Sequence, residues 1–115
     1  MKVLNHTQNF LVADKVRVAD SFLSRLVGLL DRKEILPGEA LIITNCQQIH
    51  MFFMKFPIDV IFVDRSDIVV GLVENIQPFS MSPIFLQAQR AIELPPGAIA
   101  YSRTSLGDIL QFPEK

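Results

Sequence analysis

The sequence contains a single cysteine and no long uninterrupted apolar run. One cysteine cannot form an internal disulfide, and it cannot supply the thiolates of a redox pair or of a structural zinc site. The longest apolar stretch, residues 49–63, is interrupted by Lys55, Pro57 and Asp59. It therefore falls short of the roughly 20 apolar residues that a membrane span needs. The first ten residues, MKVLNHTQNF, lack the continuous apolar segment of a signal peptide. We therefore expect a cytoplasmic protein with no membrane span.

A cluster of positive charge is also absent. The 11 basic and 12 acidic side chains nearly cancel and are scattered along the chain, and Arg25, Arg32 and Lys33 come closest to a patch. Nucleic-acid binding normally requires several cations on one face of a domain. The sequence shows no catalytic triad, phosphate-binding loop or metal-ligand motif. We therefore expect no nucleic-acid partner, no cofactor and no bound metal.

What the sequence does contain is typical of one compact domain. Half of its 115 residues are apolar and 20% are charged, which suits a single domain over residues 1–115. Short apolar runs rich in Val, Ile and Phe alternate with turn residues and predict about seven strands. Residues 13–15 and 64–67 are predicted to be hairpin turns. The predicted fold is α+β and mostly β, a compact small barrel or sandwich with one helix packed on it.

The predicted helix covers about residues 20–31. Apolar residues recur there at helical spacing, as in Phe22, Leu26 and Leu29, and either Asp20 or Ser21 can cap the first turn. Gly28 lies inside the helix, where glycine is unfavourable. Either a close approach to the sheet requires it, or packing simply tolerates it.

The stretch CQQIHMFFMKFPIDVIFVD, residues 46–64, combines a buried-strand pattern with polar residues. Pro57 cannot donate a ladder hydrogen bond, so we expect it to divide the stretch into two strands, residues 49–54 and 58–64. Lys55, Pro57 and Asp59 would then lie at the junction between the strands, where a ligand could bind. In the alternative interpretation, Asp59 only accepts hydrogen bonds from backbone amides, as aspartate often does near turns.

Four residues are candidates for catalysis: Cys46, His50, Asp59 and Glu93. His50 could act as a base, with Asp59 or Glu93 as its partner and Cys46 as a nucleophile. Each also has an ordinary structural interpretation. Cys46 and His50 could be an inert thiol and a hydrogen-bonded imidazole in the core, and Glu93 could face solvent on the outer side of its strand.

Three segments resemble a known prokaryotic family, the domain-of-unknown-function family number 192. They are VADSFLSRLVGLLDRKEI with its Arg-x-x-Gly-Leu-Leu motif, HMFFMKFPIDVIFVDRSDIVV, and AIELPPGAIA followed by LGDIL. The resemblance covers about residues 16–110. It implies a mostly β domain with a helix on the sheet, and it implies no established biochemical activity. The positions that match the family's motifs are Arg25, Gly28, Phe53, Met54, Pro57, Asp59, Glu93, Gly97, Gly107 and Asp108.

We weigh three functions. The first is a non-catalytic accessory module that binds a small ligand or a protein segment in a groove lined by Phe52, Phe53, Met54 and Phe56, with Arg25, Phe53, Lys55, Pro57 and Asp59 as ligand-binding residues. The second is a small hydrolase or acid-base enzyme that uses His50 with Asp59 or Glu93, with or without a divalent metal. The third is a homodimer formed through an edge strand near residues 67–74.

Overall fold

The computed structural model describes residues 2–20 and 32–112. These residues form eight strands and one short helix. In chain order they are β1 (Val3–Asn5), β2 (Phe10–Ala13), β3 (Lys15–Ala19), β4 (Glu39–Thr44), β5 (Ile58–Val63), β6 (Val69–Ile76), β7 (Arg90–Leu94), α1 (Ala98–Tyr101) and β8 (Leu110–Gln111).

The strands form two sheets, and neither closes into a barrel. The larger sheet has the order β3-β4-β7-β5-β6 and the smaller has the order β2-β1-β8. All neighbours are antiparallel except β3 and β4, which run parallel. A parallel pair requires a crossover connection of a dozen or more residues, and residues 20–38 supply one.

The larger sheet has a separate apolar cluster on each face. Strand β5 is buried along its whole length, and its alternate residues serve the two clusters. Ile58, Val60 and Phe62 enter one cluster, whereas Ile61 and Val63 enter the other. A strand buried on both faces needs apolar side chains in both directions, which accounts for the apolar run that Asp59 alone interrupts in this strand.

The predicted α+β, mostly β fold is confirmed, in the form of two open sheets and not a barrel. The hairpin at residues 64–67 is also confirmed, because it joins the antiparallel strands β5 and β6. The predicted hairpin at residues 13–15 is wrong: Asp14 and Lys15 both donate backbone hydrogen bonds to the carbonyl of Gly38, and the chain passes there from one sheet to the other.

A strand over residues 49–54 is wrong as well. Only His50 forms a bridge there, to Met81, and the chain then turns through Phe53, whose φ is 69°. The predicted helix falls almost entirely on residues 21–31, which lie outside the described residues. Within the described ranges, no helix is long and apolar enough to cross a membrane.

Candidate ligand-binding groove

The turn after β7 is shaped by its own sequence, Pro95-Pro96-Gly97. The prolines fix φ and lack an N–H, so they end the strand. Gly97 adopts a φ of 92°, a conformation that glycine takes without steric cost. Space is not the reason for this glycine, because a Cβ there would meet no atom within 4 Å. The reversal leads directly into α1, and the amide of Tyr101 donates to the carbonyl of Gly97 at 2.9 Å.

The carboxylate of Asp59, on β5, holds this turn against the larger sheet through hydrogen bonds. Its Oδ2 accepts hydrogen bonds from the backbone amides of Gly97 at 3.1 Å and Ile99 at 3.0 Å. Its Oδ1 accepts one from the amide of Asn75 at 2.9 Å, where the register between β5 and β6 is irregular. Asp59 is fully buried. A carboxylate that accepts three amide hydrogen bonds is well compensated for the loss of water.

A groove of about 770 Å³ lies against this turn. Part of its lining is the turn itself with α1, and the rest is formed by β2 and the corner that leads into β3. The lining is mainly apolar and rigid, with two aromatic rings and three prolines: Phe10, Tyr101, Pro37, Pro95 and Pro96. The rings of Phe10 and Tyr101 meet edge to face, with their centroids 6.1 Å apart.

The corner opposite α1 is held by a second glycine. Gly38 has a φ of 87°, and a Cβ at this position would lie 2.7 Å from Oδ1 of Asp14. The carbonyl of Gly38 accepts hydrogen bonds from the amides of Asp14 and Lys15, each at 2.9 Å. Both the backbone conformation and the close approach therefore require glycine here. This side of the groove is thus fixed in position by the backbone of the corner itself.

Strand β2 lines the groove and, within residues 2–20 and 32–112, it is an edge strand. It is the outermost strand of the smaller sheet and pairs with β1 on one side only. All of its residues line the groove. The charged lining residues are Asp14 and Lys15, one of each sign. A groove with this balance does not favour a strongly charged ligand such as a nucleotide.

A buried polar network holds the segment that follows α1. The Asn5 side-chain amide donates to Oδ2 of Asp108 at 2.9 Å and to the hydroxyl of Thr104 at 3.1 Å. The hydroxyls of Ser102 and Thr104 are 2.7 Å apart. Burial raises the pKa of Asp108, but hydrogen bonds from Asn5, Ser105 and Gln8 outweigh it, and the net pKa lies below its ordinary value. The carboxylate form is therefore part of the folded structure.

The predicted ligand-binding residues are dispersed. Arg25 lies outside the described residues, Phe53 and Lys55 are exposed, and Pro57 is half-buried. Asp59 lies behind the groove wall, with its carboxylate engaged by backbone amides, as the structural interpretation of this residue predicts. A groove was also predicted between Phe52, Phe53, Met54 and Phe56. In the structure, Phe52 and Phe53 are exposed, whereas Met54 and Phe56 are buried.

The catalytic candidates divide between the two faces of the larger sheet. Glu93 is opposite Val60 on the neighbouring strand, and Asp59 is opposite Leu94, so the two carboxylates point to opposite faces. Glu93 is fully buried, which contradicts the solvent-facing interpretation.

The segment that carries His50 packs over the face of Glu93, because its neighbours Ile49 and Met51 belong to the apolar cluster of Val60. The thiol of Cys46 donates to the carbonyl of Gln48 at 3.3 Å. Across residues 2–20 and 32–112, no three His, Cys, Asp or Glu side chains are grouped closely enough to hold a metal ion.

The groove residues could not be identified from the sequence, because they come from three distant segments, residues 9–15, 37–38 and 95–101. The available signal was the pair of Pro-Gly turns, which mark Gly38 and Gly97 as positions where the backbone must reverse. Nothing local indicates that these two turns face a common groove, because that depends on how the two sheets pack.

The fold and the groove together define a small two-sheet β domain with a preformed, nearly neutral cleft at the junction of its sheets. The chain belongs to the DUF192 family, described as Uncharacterized ACR, whose sequence profile matches residues 3–112. It is 34% identical over 116 residues to a UPF0127 protein of Pyrococcus horikoshii, covering 96% of this chain and 97% of that protein. A UPF0127 protein of Thermococcus sibiricus is 34% identical over 113 residues, which are 92% of this chain and 71% of that one.

Two crystal structures share the fold. A protein of unknown function from Novosphingobium aromaticivorans aligns with a TM-score of 0.79 at 20% identity, covering 96% of this chain and 82% of that one. A protein from Sinorhizobium meliloti, described as a putative transcription regulator, aligns with a TM-score of 0.75 at 20% identity, covering 96% and 89%. At this level of identity the likeness extends to the fold alone.

Proposed function

We propose that the protein is a non-catalytic binding module, and that its groove accepts a short, extended, uncharged polypeptide segment. The observation that carries this proposal is the position of β2, which is an edge strand in the described part of the chain and whose residues line the groove. An extended peptide can add to such an edge through main-chain hydrogen bonds, while pockets beside the edge select its side chains. The single cysteine suits a reducing compartment, so we place this activity in the cytoplasm.

The walls of the groove favour apolar side chains in the ligand. Phe10, Tyr101 and the prolines offer flat apolar surfaces, and neither wall carries an excess of charge. Tyr101 is 76% exposed, so its ring can contact a ligand without being displaced from the core. Because Asp59 and Gly38 hold the two sides in place, binding needs little rearrangement of the backbone.

The test is selection of ligands from a random 12-residue peptide library displayed on phage, with the wild-type chain as bait. Enriched peptides are then measured by fluorescence polarisation against Leu11→Glu and Tyr101→Ala, both of which alter the groove lining. We expect each variant to bind at least tenfold more weakly. The matched control is Leu106→Glu, an exposed leucine that is not among the lining residues, and it should bind as the wild type does.

Hydrogen exchange distinguishes edge addition from other binding. A peptide paired with β2 should protect by about tenfold or more those amides of residues 10–13 that point away from β1, because these N–H groups gain partners. Enriched peptides that bind Leu11→Glu and the wild type equally, or that protect amides elsewhere and not in β2, would refute the proposal. A library that yields no enrichment would also count against it.

A further inference from the structure

Two segments on the far side of the larger sheet pair into a short ribbon. The amide of Met51 donates to the carbonyl of Ser80 at 2.8 Å, and the amide of Phe79 donates to the carbonyl of Met51 at 2.9 Å. His50 and Met81 form the bridge next to them. We call this element the 47–53/79–86 ribbon, since further hydrogen bonds continue it from Ser82 to Ile49 and from Phe85 to Gln47.

The ribbon buries one face and exposes the other. Ile49, Met51 and Ser82 point into the core and are almost inaccessible. The alternate positions point outward, and the rings of His50 and Phe52 lie there with centroids 5.1 Å apart. Six large apolar side chains of the ribbon are between 42% and 79% exposed: Phe52, Phe53, Phe79, Met81, Ile84 and Leu86.

The area of this apolar surface is large for so small a domain. Taking about 200 Å² for one large side chain, the six exposures amount to roughly 700 Å². Contiguous apolar patches on monomeric proteins rarely exceed a few hundred Å². A standard protein interface buries about 800 Å² on each partner, so this surface approaches what a stable complex requires.

Formal charge is missing from both segments and from the residues that flank them in the sequence. Residues 40–54 and 75–89 contain no Asp, Glu, Lys or Arg, although the chain average of 20% would place about six among them. Depletion of charge together with enrichment in aromatic residues and methionine is the composition of an interface core, and homodimer interfaces are the most apolar. A two-fold axis brings a patch against itself, so a charged patch would repel its own copy whereas an uncharged one does not.

Two of the exposed rings are held in an unfavourable backbone conformation. Phe53 has a φ of 69° and Phe79 a φ of 66°, in the left-handed region that bulky residues rarely adopt. Neither side chain gains much burial within the chain in return. Such strain concentrates at functional positions. A contact of the two rings with a second molecule would offset this cost.

The sheet edge near residues 67–74 is a weaker candidate for self-association. Val69 on β6 is already paired with the segment after α1, through bonds of 2.8 Å to Asp108 and 2.9 Å to Gly107. The ring of Phe85 fills the space beside Gly71, where a Cβ would approach it to 2.5 Å. This edge is therefore partly covered, whereas the ribbon is open.

We infer that the outer face of the 47–53/79–86 ribbon binds a second copy of this chain, in a two-fold symmetric dimer with Phe53 and Phe79 near its centre. The ribbon and the smaller sheet cover opposite faces of the larger sheet. The proposed interface is therefore remote from β2, the strand of the smaller sheet that lines the groove. Each subunit of the dimer would thus keep its groove accessible.

Sedimentation velocity of the untagged protein between about 1 and 100 μM tests this inference. We expect the wild type to sediment as a species of twice the 13.0 kDa chain mass at the upper concentrations. The double variant Phe53→Asn/Phe79→Asn should remain at the chain mass throughout, with its thermal midpoint at 1 μM unchanged or raised. Asparagine tolerates the left-handed conformation, so the exchange removes the rings without adding strain.

The control is Leu106→Asn, which replaces an exposed apolar residue outside the ribbon and should leave the dimer intact. If the double variant does not fold, Met81→Glu places a charge on the same outer face and should give the monomer. A wild type that stays at the chain mass up to 100 μM would overturn the inference. So would variants that remain dimeric, because the contact would then lie elsewhere.

Discussion

The two faces of the larger sheet are covered in different ways. On one face, the smaller sheet and α1 are tied down by buried polar groups, among them Asp59, Asn5 and Asp108. On the other face, the ribbon is held by backbone pairing and apolar packing, and its outer surface is itself apolar. Hydrogen bonds to buried carboxylates are directional, so they fix the backbone that shapes a groove. Apolar packing is not directional, and on this face it leaves an apolar outer surface that the dimer we infer would cover.

The largest expected effect is on the polar side, at Asp59. Asp59→Ala leaves the amides of Asn75, Gly97 and Ile99 without their acceptor, and we expect a loss of about 3–5 kcal/mol in the free energy of unfolding. Urea denaturation measures it. Asp64→Ala is the matched control, because that carboxylate accepts two turn amides nearer the surface and should cost about 1 kcal/mol. Equal losses in the two variants would show that burial of the hydrogen bonds is unimportant.

A smaller effect is expected on the apolar side, at Gly71. Gly71→Ala places a methyl group within 2.5 Å of the Phe85 ring, which is itself packed against Phe62 with centroids 4.5 Å apart. Overpacking of this kind costs about 1–3 kcal/mol, to be measured by the same denaturation. Glu74→Ala on the same strand is exposed and should stay within about 0.5 kcal/mol of the wild type. An unchanged Gly71→Ala would mean that Phe85 moves freely and that the ribbon is loosely packed.

The smallest effect concerns the pH dependence of stability at Asp108. Its pKa is lower in the folded than in the unfolded chain, so its ionised form stabilises the fold above about pH 4, and this contribution is lost as the pH falls through the folded pKa. Asp108→Asn should lower the free energy of unfolding by about 1–2 kcal/mol at pH 7.

Stability of Asp108→Asn measured at several pH values between 2 and 7 should also fall less steeply in acid than that of the wild type. Asn5→Ala, which removes one donor and keeps the carboxylate, should give an intermediate slope. A steeper decline in the asparagine variant would contradict the sign of this argument.

Local patterns predicted the parts of the fold that depend on local chemistry. The apolar run of β5, the turn at residues 64–67 and the role of Asp59 as an acceptor of amide hydrogen bonds all follow from alternation and turn chemistry. Glu93 was misplaced because alternation alone assumes one solvent-facing side, whereas β7 is a central strand covered on both faces.

The site depended on long-range pairing and was not predictable. Because β3 pairs in parallel with β4, residues 13–15 connect the two sheets and do not form the hairpin that their sequence suggests. Only that pairing brings Gly38 beside Asp14 and creates one side of the groove. The charge-free segments that form the ribbon were visible in the sequence, but they are about 30 residues apart and only the folded backbone pairs them, through the His50–Met81 bridge and the hydrogen bonds beside it.

The smaller sheet pairs β1 with both β2 and β8, so it joins segments that are far apart in the sequence and cannot be completed early in folding. β1 is among the first residues of the chain and β8 among the last, and the bond from Asn5 to Asp108 joins residues 103 positions apart. Closing so long a loop is entropically costly and comes late. On a ribosome, the larger sheet can assemble once β7 has emerged, whereas the smaller sheet must wait for residue 111. A nascent chain arrested before that point would carry β2 without its completed sheet, so the groove that β2 lines would mature after the larger sheet.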